Sequence, residues 1–389
     1  MSEKVYLFSK EKKIIIDSSG ELLINGKKYE PVDREGKPIM FDKKEEAVKQ
    51  TRDFYRSILS LESENLVILS GAGTSVGIGK TGKGKTMSDL WKLAKGESTI
   101  DLAKLCKDIE FDDSEDLEKL LSKAHRALEF KPGNIINKIE AIENLIKDNC
   151  SLELPDNSPH EVLLNRIVKR KLKYPRSKVF TLNYDTLFEQ AAEKGGLIAI
   201  DGFSFATPRT FRGALYDYDI VKREKSRIKN EENFIPKVFH LYKIHGSINW
   251  EMNLNQVIQT RTPLKPLMIF PKDTKYEHSY EKPFFEMMSR FQQSLRNENV
   301  LLISLGFSLS DKHIVTAIKE AVSQNPSFQI MIVNRTIRDN PEWKWFLNKA
   351  EVDSRITLIS EEFNDFAPNY PEDKTITKEE MLKKVYDNE

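Results

Sequence analysis

Residues 66–75 read LVILSGAGTS. Four aliphatic side chains in a row, Leu66 to Leu69, call for burial on both faces, as in a central strand of a parallel sheet. Gly71, Ala72 and Gly73 then permit a tight turn whose main-chain N–H groups can approach a diphosphate, and Thr74 and Ser75 can add hydroxyl donors. The same five residues would also serve as an ordinary strand-to-helix turn, so the turn alone leaves nucleotide binding open.

Comparable apolar runs recur at Val179 to Leu182, Leu197 to Ile200, Val238 to Ile244, Val300 to Leu305, Phe328 to Val333 and Ile356 to Ile359. Amphipathic stretches at Glu161 to Lys171, Thr186 to Lys194, Asp311 to Val322 and Pro341 to Lys349 separate several of them. This alternation predicts an α/β fold, a doubly wound parallel sheet of Rossmann-like type. Residues 87–158 have a period near 3.6 and predict a helical insertion. Residues 1–62 read as an extension, with Asn25-Gly26 closing a hairpin and a helix over 44–62, placed to pack on the main domain or to oligomerise it. That main domain is set at 63–362 and a C-terminal tail at 363–389.

Composition narrows the function classes. The chain has 389 residues, 61 Lys+Arg against 60 Asp+Glu, and a formal charge of +1, which removes a whole-chain electrostatic argument for nucleic-acid or membrane binding. The local run Lys222, Arg223, Lys225, Arg227 and Lys229 is short and reads as a solvated helix or loop, so no direct nucleic-acid binding is expected. No apolar run approaches the ~18 residues of a membrane span, and the N-terminus is too charged for a signal-peptide core, which predicts a cytoplasmic protein. With only Cys106 and Cys150, a four-cysteine zinc site is impossible and no metal site is expected.

Three more strand ends carry polar groups where open α/β sheets bind ligands. Thr181 to Asp185 reads TLNYD. There Thr186 and Glu189 have capping-box spacing, and Asp185 suits the positive end of the same helix, while Asn183 has no capping duty. Lys243 to Ser247 reads KIHGS and puts His245 before a glycine, although a lone histidine is more often satisfied by local backbone. Gly306 to Asp311 reads GFSLSD, where Ser308 and Asp311 match a capping box. Gly79 to Thr86, GKTGKGKT, fits a phosphate-loop pattern with Lys85 as its lysine. It begins well past the strand end, and no later strand ends in a magnesium-holding acid, so a loop lying over a site is preferred to an ATPase.

Taken in order, GAGTS, TLNYD, KIHGS, GFSLSD and the IVN of Ile332 to Asn334 resemble the nucleotide-binding signature of the sirtuin family, specifically its bacterial antiphage-defence branch of NAD-consuming proteins. The resemblance covers about residues 64–335. It implies that Gly71, Ala72, Gly73, Thr74 and Ser75 cradle the NAD phosphates, with Asp185 bracing the turn. It further implies that Gly306 and Ser308 line the adenosine half, that Asn334 lies near its ribose, and that Asn183 and His245 are the catalytic Asn and His. Pro159-His160 also resembles a family feature, with no chemistry assigned.

Protein-deacylating sirtuins carry a four-cysteine zinc module and continue the glycine turn into a proline-aspartate-phenylalanine segment; this chain has neither. The implied activity is therefore NAD+ hydrolysis to nicotinamide and ADP-ribose, with NAD+ as substrate and no zinc. The resemblance also implies a homo-oligomer and a HerA-like hexameric ATPase partner. The alternatives are an NAD-dependent protein deacylase, a P-loop ATPase using Gly79 to Thr86, and a non-catalytic NAD or ADP-ribose sensor.

Overall fold

The computed structural model describes residues 3–80, 82–112, 115–128, 130, 133, 135–222, 234–268, 283–338 and 340–372. The chain opens with β1 (Lys4–Phe8), β2 (Lys13–Ile16), β3 (Leu22–Ile24), β4 (Lys27–Lys28) and helix α1 (Lys43–Leu59). Strand β5 (Asn65–Ser70) leads into the insertion helices α2 (Met87–Gly96), α3 (Leu102–Asp108), α4 (Leu117–Ala127) and α5 (Ile135–Cys150). Next come α6 (Pro159–Ile167), β6 (Lys178–Thr181), α7 (Leu187–Gly195), β7 (Ile198–Ile200), β8 (Arg209–Thr210) and β9 (Val238–Lys243). Short strands β10 (Gly246–Ser247), β11 (Trp250–Asn253), β12 (Gln256–Gln259) and β13 (Leu267–Met268) come after β9. The chain continues with α8 (Phe284–Arg296), β14 (Val300–Leu305), α9 (Lys312–Gln324), β15 (Gln329–Asn334), α10 (Pro341–Val352), β16 (Ile356–Ser360) and α11 (Phe363–Asn369).

Eleven strands form one sheet in the order β4-β3-β2-β1-β16-β15-β14-β5-β6-β9-β7. From β16 to β7 every pairing is parallel, as the alternating pattern predicts. From β5 the chain adds β6, β7 and β9 on one side, with β7 outermost, then crosses back to β14 and winds the other way. The carboxyl ends of β5 and β14 thus flank the switch point, the place where such sheets bind ligands.

Side chains alternate across this sheet with period two. Leu66 and Ile68 of β5 enter the core shared with α1, α6, α7 and α11, whereas Val67 and Leu69 enter the core under α8, α9 and α10. Residues 1–62 are joined to the sheet through β1, which pairs antiparallel with β16. The Asn25-Gly26 turn joins β3 to β4, with both residues at positive φ. Helix α1 buries Ala47, Thr51, Tyr55 and Leu59, four residues apart along one face. The insertion has an apolar core of its own, and α11 packs Phe363 and Phe366 into the core beneath α1 and α6.

Of the basic run at 222–229, Lys222 alone is described and the rest lies outside the described residues; of the segment set as a tail at 363–389, the first part is α11, packed in the core, and residues 373–389 lie outside the described residues. No helix among the described residues is long and apolar enough to cross a membrane.

Candidate active site

The turn after β5 is pressed against the turn after β14. A side chain at Gly71 would place its Cβ 2.7 Å from Phe307 Cα, and one at Gly73 2.6 Å from Gly306 Cα. Gly306 itself has φ +59°, a left-handed conformation that glycine adopts freely. These glycines are therefore required by contact between two loops. Four of the turn's amides are committed to backbone carbonyls: Gly71 N–H to Leu305 (2.9 Å), Gly73 N–H to Gly306 (2.9 Å), Thr74 N–H to Gly71 (3.0 Å) and Ser75 N–H to Ala72 (3.0 Å). The expectation that these N–H groups point at a phosphate does not describe this conformation.

Asn183 stands two residues beyond Thr181, and His245 two beyond Lys243, and those two residues are paired in register between β6 and β9. The site residues thus emerge side by side from adjacent parallel strands. The Asn183 Nδ2 donates to Gly71 O (3.0 Å), Thr74 Oγ1 (3.1 Å) and Ser75 Oγ (2.8 Å). The amide, which has no capping duty, holds the glycine turn against β6. Ser75 Oγ donates to Asp185 Oδ2 at 2.6 Å, and Asp185 Oδ1 accepts from Leu187 N–H at 3.1 Å. Asp185 is accordingly a brace for the turn, and it is buried.

The capping box read at Thr186 and Glu189 is absent. Thr186 makes no side-chain cap bond; its hydroxyl accepts from Gln190 Nε2 (2.9 Å), and Glu189 accepts from buried Lys243 Nζ (2.9 Å). Lys243 also donates to the Asp185 carbonyl. Desolvation pushes the Glu189 carboxyl above its ordinary value, partly offset by that lysine.

His245 is buried and its Nε2 lies 2.9 Å from Asp311 Oδ2, each side chain being 8% exposed. Burial alone would push the imidazole pKa down. The Asp311 bond and charge, the charge of Glu118 and a bond to the Leu182 carbonyl more than offset this, so it stands above the ordinary histidine value. Asp311, conversely, is held below the usual carboxylate range: burial would raise it, and His245 together with the His313 and Ile314 amides outweighs burial. Asp311 is itself the N-cap of α9, accepting from His313 N–H (2.9 Å) and Ile314 N–H (3.2 Å). The capping box read between Ser308 and Asp311 does not form; Ser308 Oγ instead meets Ser310 Oγ at 2.7 Å.

Asn334, at the end of β15, donates from Nδ2 to Phe307 O at 3.0 Å and so steadies the loop carrying Gly306 and Ser308. The Walker-like loop folds back on the turn after β5. Gly84 N–H donates to Ile78 O (2.9 Å), and a Cβ at Gly84 would meet Ser75 O at 2.0 Å. Thr86 caps α2 through a capping box with Asp89, and Lys85 Nζ reaches Lys83 O at 3.4 Å.

Sequence reasoning missed two carboxylates. Asp311 was visible only as a cap; a His beside a glycine at one strand end and an Asp opening a helix after a neighbouring strand was the available signal. Glu118, in α4, accepts the Tyr184 hydroxyl at 3.0 Å, and no local pattern links the two. His160 is buried against Phe188 and Phe363, with pKa pushed down to about 4 by desolvation. His240 bonds the Tyr242 hydroxyl at 3.1 Å. Among the described residues no group of three His, Cys, Asp or Glu could hold a metal ion.

Comparison with known proteins gives one family match. A solved Sir2 structure, described as "Structural Basis for the Mechanism and Regulation of Sir2 Enzymes", aligns over 86% of this chain and 98% of its own, at 12% identity and a TM-score of 0.39. No curated protein matches the sequence. Residues 177–353, which include Asn183, His245, Gly306, Asp311 and Asn334, match the sequence model of the SIR2-like domain family.

Proposed function

We propose that this protein hydrolyses NAD+, breaking the nicotinamide–ribose bond to give nicotinamide and ADP-ribose. The observation that carries the reading is the buried His245–Asp311 pair beside Asn183 at the carboxyl edge of the sheet, next to the glycine contact at the switch point. The SIR2-like match over 177–353 supports the choice of dinucleotide.

The residues suit such a ligand with one condition. Gly71, Gly73 and Gly306 let the two loops close on each other at the switch point, and Ser308, Ser310 and Asn334 are polar side chains at the carboxyl ends of β14 and β15. Because four turn amides are already bonded, the diphosphate is met by these hydroxyl and amide groups unless the turn opens. In the reaction a C1′–O bond forms to water, the C1′–N bond breaks with its electron pair leaving on nicotinamide, and one water proton is taken up. Nicotinamide leaves neutral and needs no acid. Asn183 orients water or ribose hydroxyls through its amide oxygen, and His245 takes the proton, with Asp311 fixing the ring and stabilising the imidazolium.

A homo-oligomer and a HerA-like ATPase partner that controls activity in antiviral defence belong to the same proposal, on the strength of the motif resemblance alone. The test is incubation of the protein with NAD+, with and without such a partner, and separation of the products. Nicotinamide with equimolar ADP-ribose supports hydrolysis. O-acyl-ADP-ribose from an acylated peptide, magnesium-dependent phosphate release from ATP, or binding without turnover would each replace it.

A further inference from the structure

Among the described residues, Tyr184 is the one side chain from outside the insertion that is fully buried in the insertion's core. It follows Asn183 directly, and its carbonyl accepts from Ile248 N–H (3.0 Å) and Ser247 Oγ (3.2 Å), tying it to the loop after His245. Its ring centroid lies 6.4 Å from that of His245, and its hydroxyl donates to Glu118 in the first turn of α4. We propose that Glu118 is a positioning residue for His245, acting through the Tyr184 hydroxyl and through its own charge, so that the insertion completes the site.

The hydrogen bond pins the tyrosine ring that flanks the imidazole, and the carboxylate adds a second negative charge to that of Asp311. Among the described residues, the charged and titratable groups facing Glu118 are His245 from the loop after β9, Asp311 at the start of α9, Tyr184 after β6, Cys150 at the end of α5 and Asp116 at its own helix cap. Of these only His245 can be cationic. Desolvation pushes the Glu118 carboxyl up to about 6, so it is largely ionised at neutral pH, where His245 needs the support. The alternative is a tie that merely fastens the insertion to the sheet.

The inference rests on His245 as the base of the proposed reaction, but its test does not require turnover. In full-length protein with ring-labelled histidine, the His245 resonance is assigned by its loss in His245→Ala and titrated by NMR. Glu118→Gln keeps an acceptor for Tyr184 and removes the charge, and the expected result is a His245 pKa lower by ~0.5–1 unit. Tyr184→Phe should move it the same way, because loss of the hydroxyl donor raises the Glu118 pKa further and lowers the carboxylate's ionised fraction. Glu118→Asp should restore most of the value. If turnover is measurable, its acid limb should move with the NMR value. Titration of His245 within ~0.2 unit of wild type in folded Glu118→Gln and Tyr184→Phe proteins overturns the proposal and leaves a structural tie. Absence of nicotinamide release from wild type would instead count against the hydrolase reading.

Discussion

Replacing Asp311 by Asn separates its two duties. The amide oxygen of Asn can still accept from the His313 and Ile314 amides, which lie 2.9 and 3.2 Å from the carboxylate, so α9 keeps its cap. What is lost is the charge-assisted bond to His245 Nε2, between side chains each 8% exposed. Bonds to charged groups of this kind contribute about 1.5–3 kcal/mol, which corresponds to a melting midpoint lower by a few degrees. The loss should depend on pH. The His245 pKa is raised on folding, so its share is fully present below the unfolded value of ~6.5 and fades as pH rises through the folded value. The Asp311 pKa is lowered, so its share is present above ~3.9 and fades as pH falls through the folded value. The penalty of Asp311→Asn should therefore be largest between about pH 4 and 6.5 and shrink by pH 9. Thermal melts of both proteins across that range provide the check. A penalty that is constant with pH, or larger at pH 9, would refute the ion pair as described.

Asn183→Ala removes the amide group that makes three hydrogen bonds to the glycine turn and should cost about 1–3 kcal/mol by denaturant melting; a variant as stable as wild type would contradict that bracing role. Gly73→Ala should destabilise by about 3 kcal/mol, because the new Cβ meets backbone on the facing loop and backbone cannot rotate away; a variant as stable as wild type would contradict the loop contact. Lys85→Ala should leave NAD+ turnover within a few-fold of wild type, since among the described residues its ammonium bonds the neighbouring Lys83 carbonyl; loss of nucleotide binding would move the phosphate site to the phosphate-loop-like segment.

Much of the sheet was legible because its strands are buried on both faces. Leu66 to Leu69 and Val300 to Leu305 admit no amphipathic reading, and the strands that hold them run into Gly71 and Gly306. The sheet order was less so: β7 lies outside β9 although it precedes it, and β1 pairs with β16 across nearly the whole chain. Such pairings depend on which edges are left uncovered, which local patterns do not record. At the site, Asn183 and His245 stood out as polar groups at strand ends. Asp311 was hidden by its helix-capping role, since one carboxylate serves both the α9 amides and His245. Thr186 and Glu189 show the opposite failure: their spacing fits a capping box, but buried Lys243 claims the glutamate. Glu118 was invisible because its partner, Tyr184, is 66 residues away in sequence.

The most direct test of hydrolysis at this site is NAD+ turnover in 18O-labelled water, with mass spectrometry of the products from wild type, Asn183→Ala and His245→Ala, each shown to be folded and to bind NAD+. The wild-type protein should release nicotinamide and place one 18O at C1′ of ADP-ribose, and both variants should lose this by ~100-fold or more. Unlabelled ADP-ribose, or turnover unchanged in both variants, would contradict the mechanism.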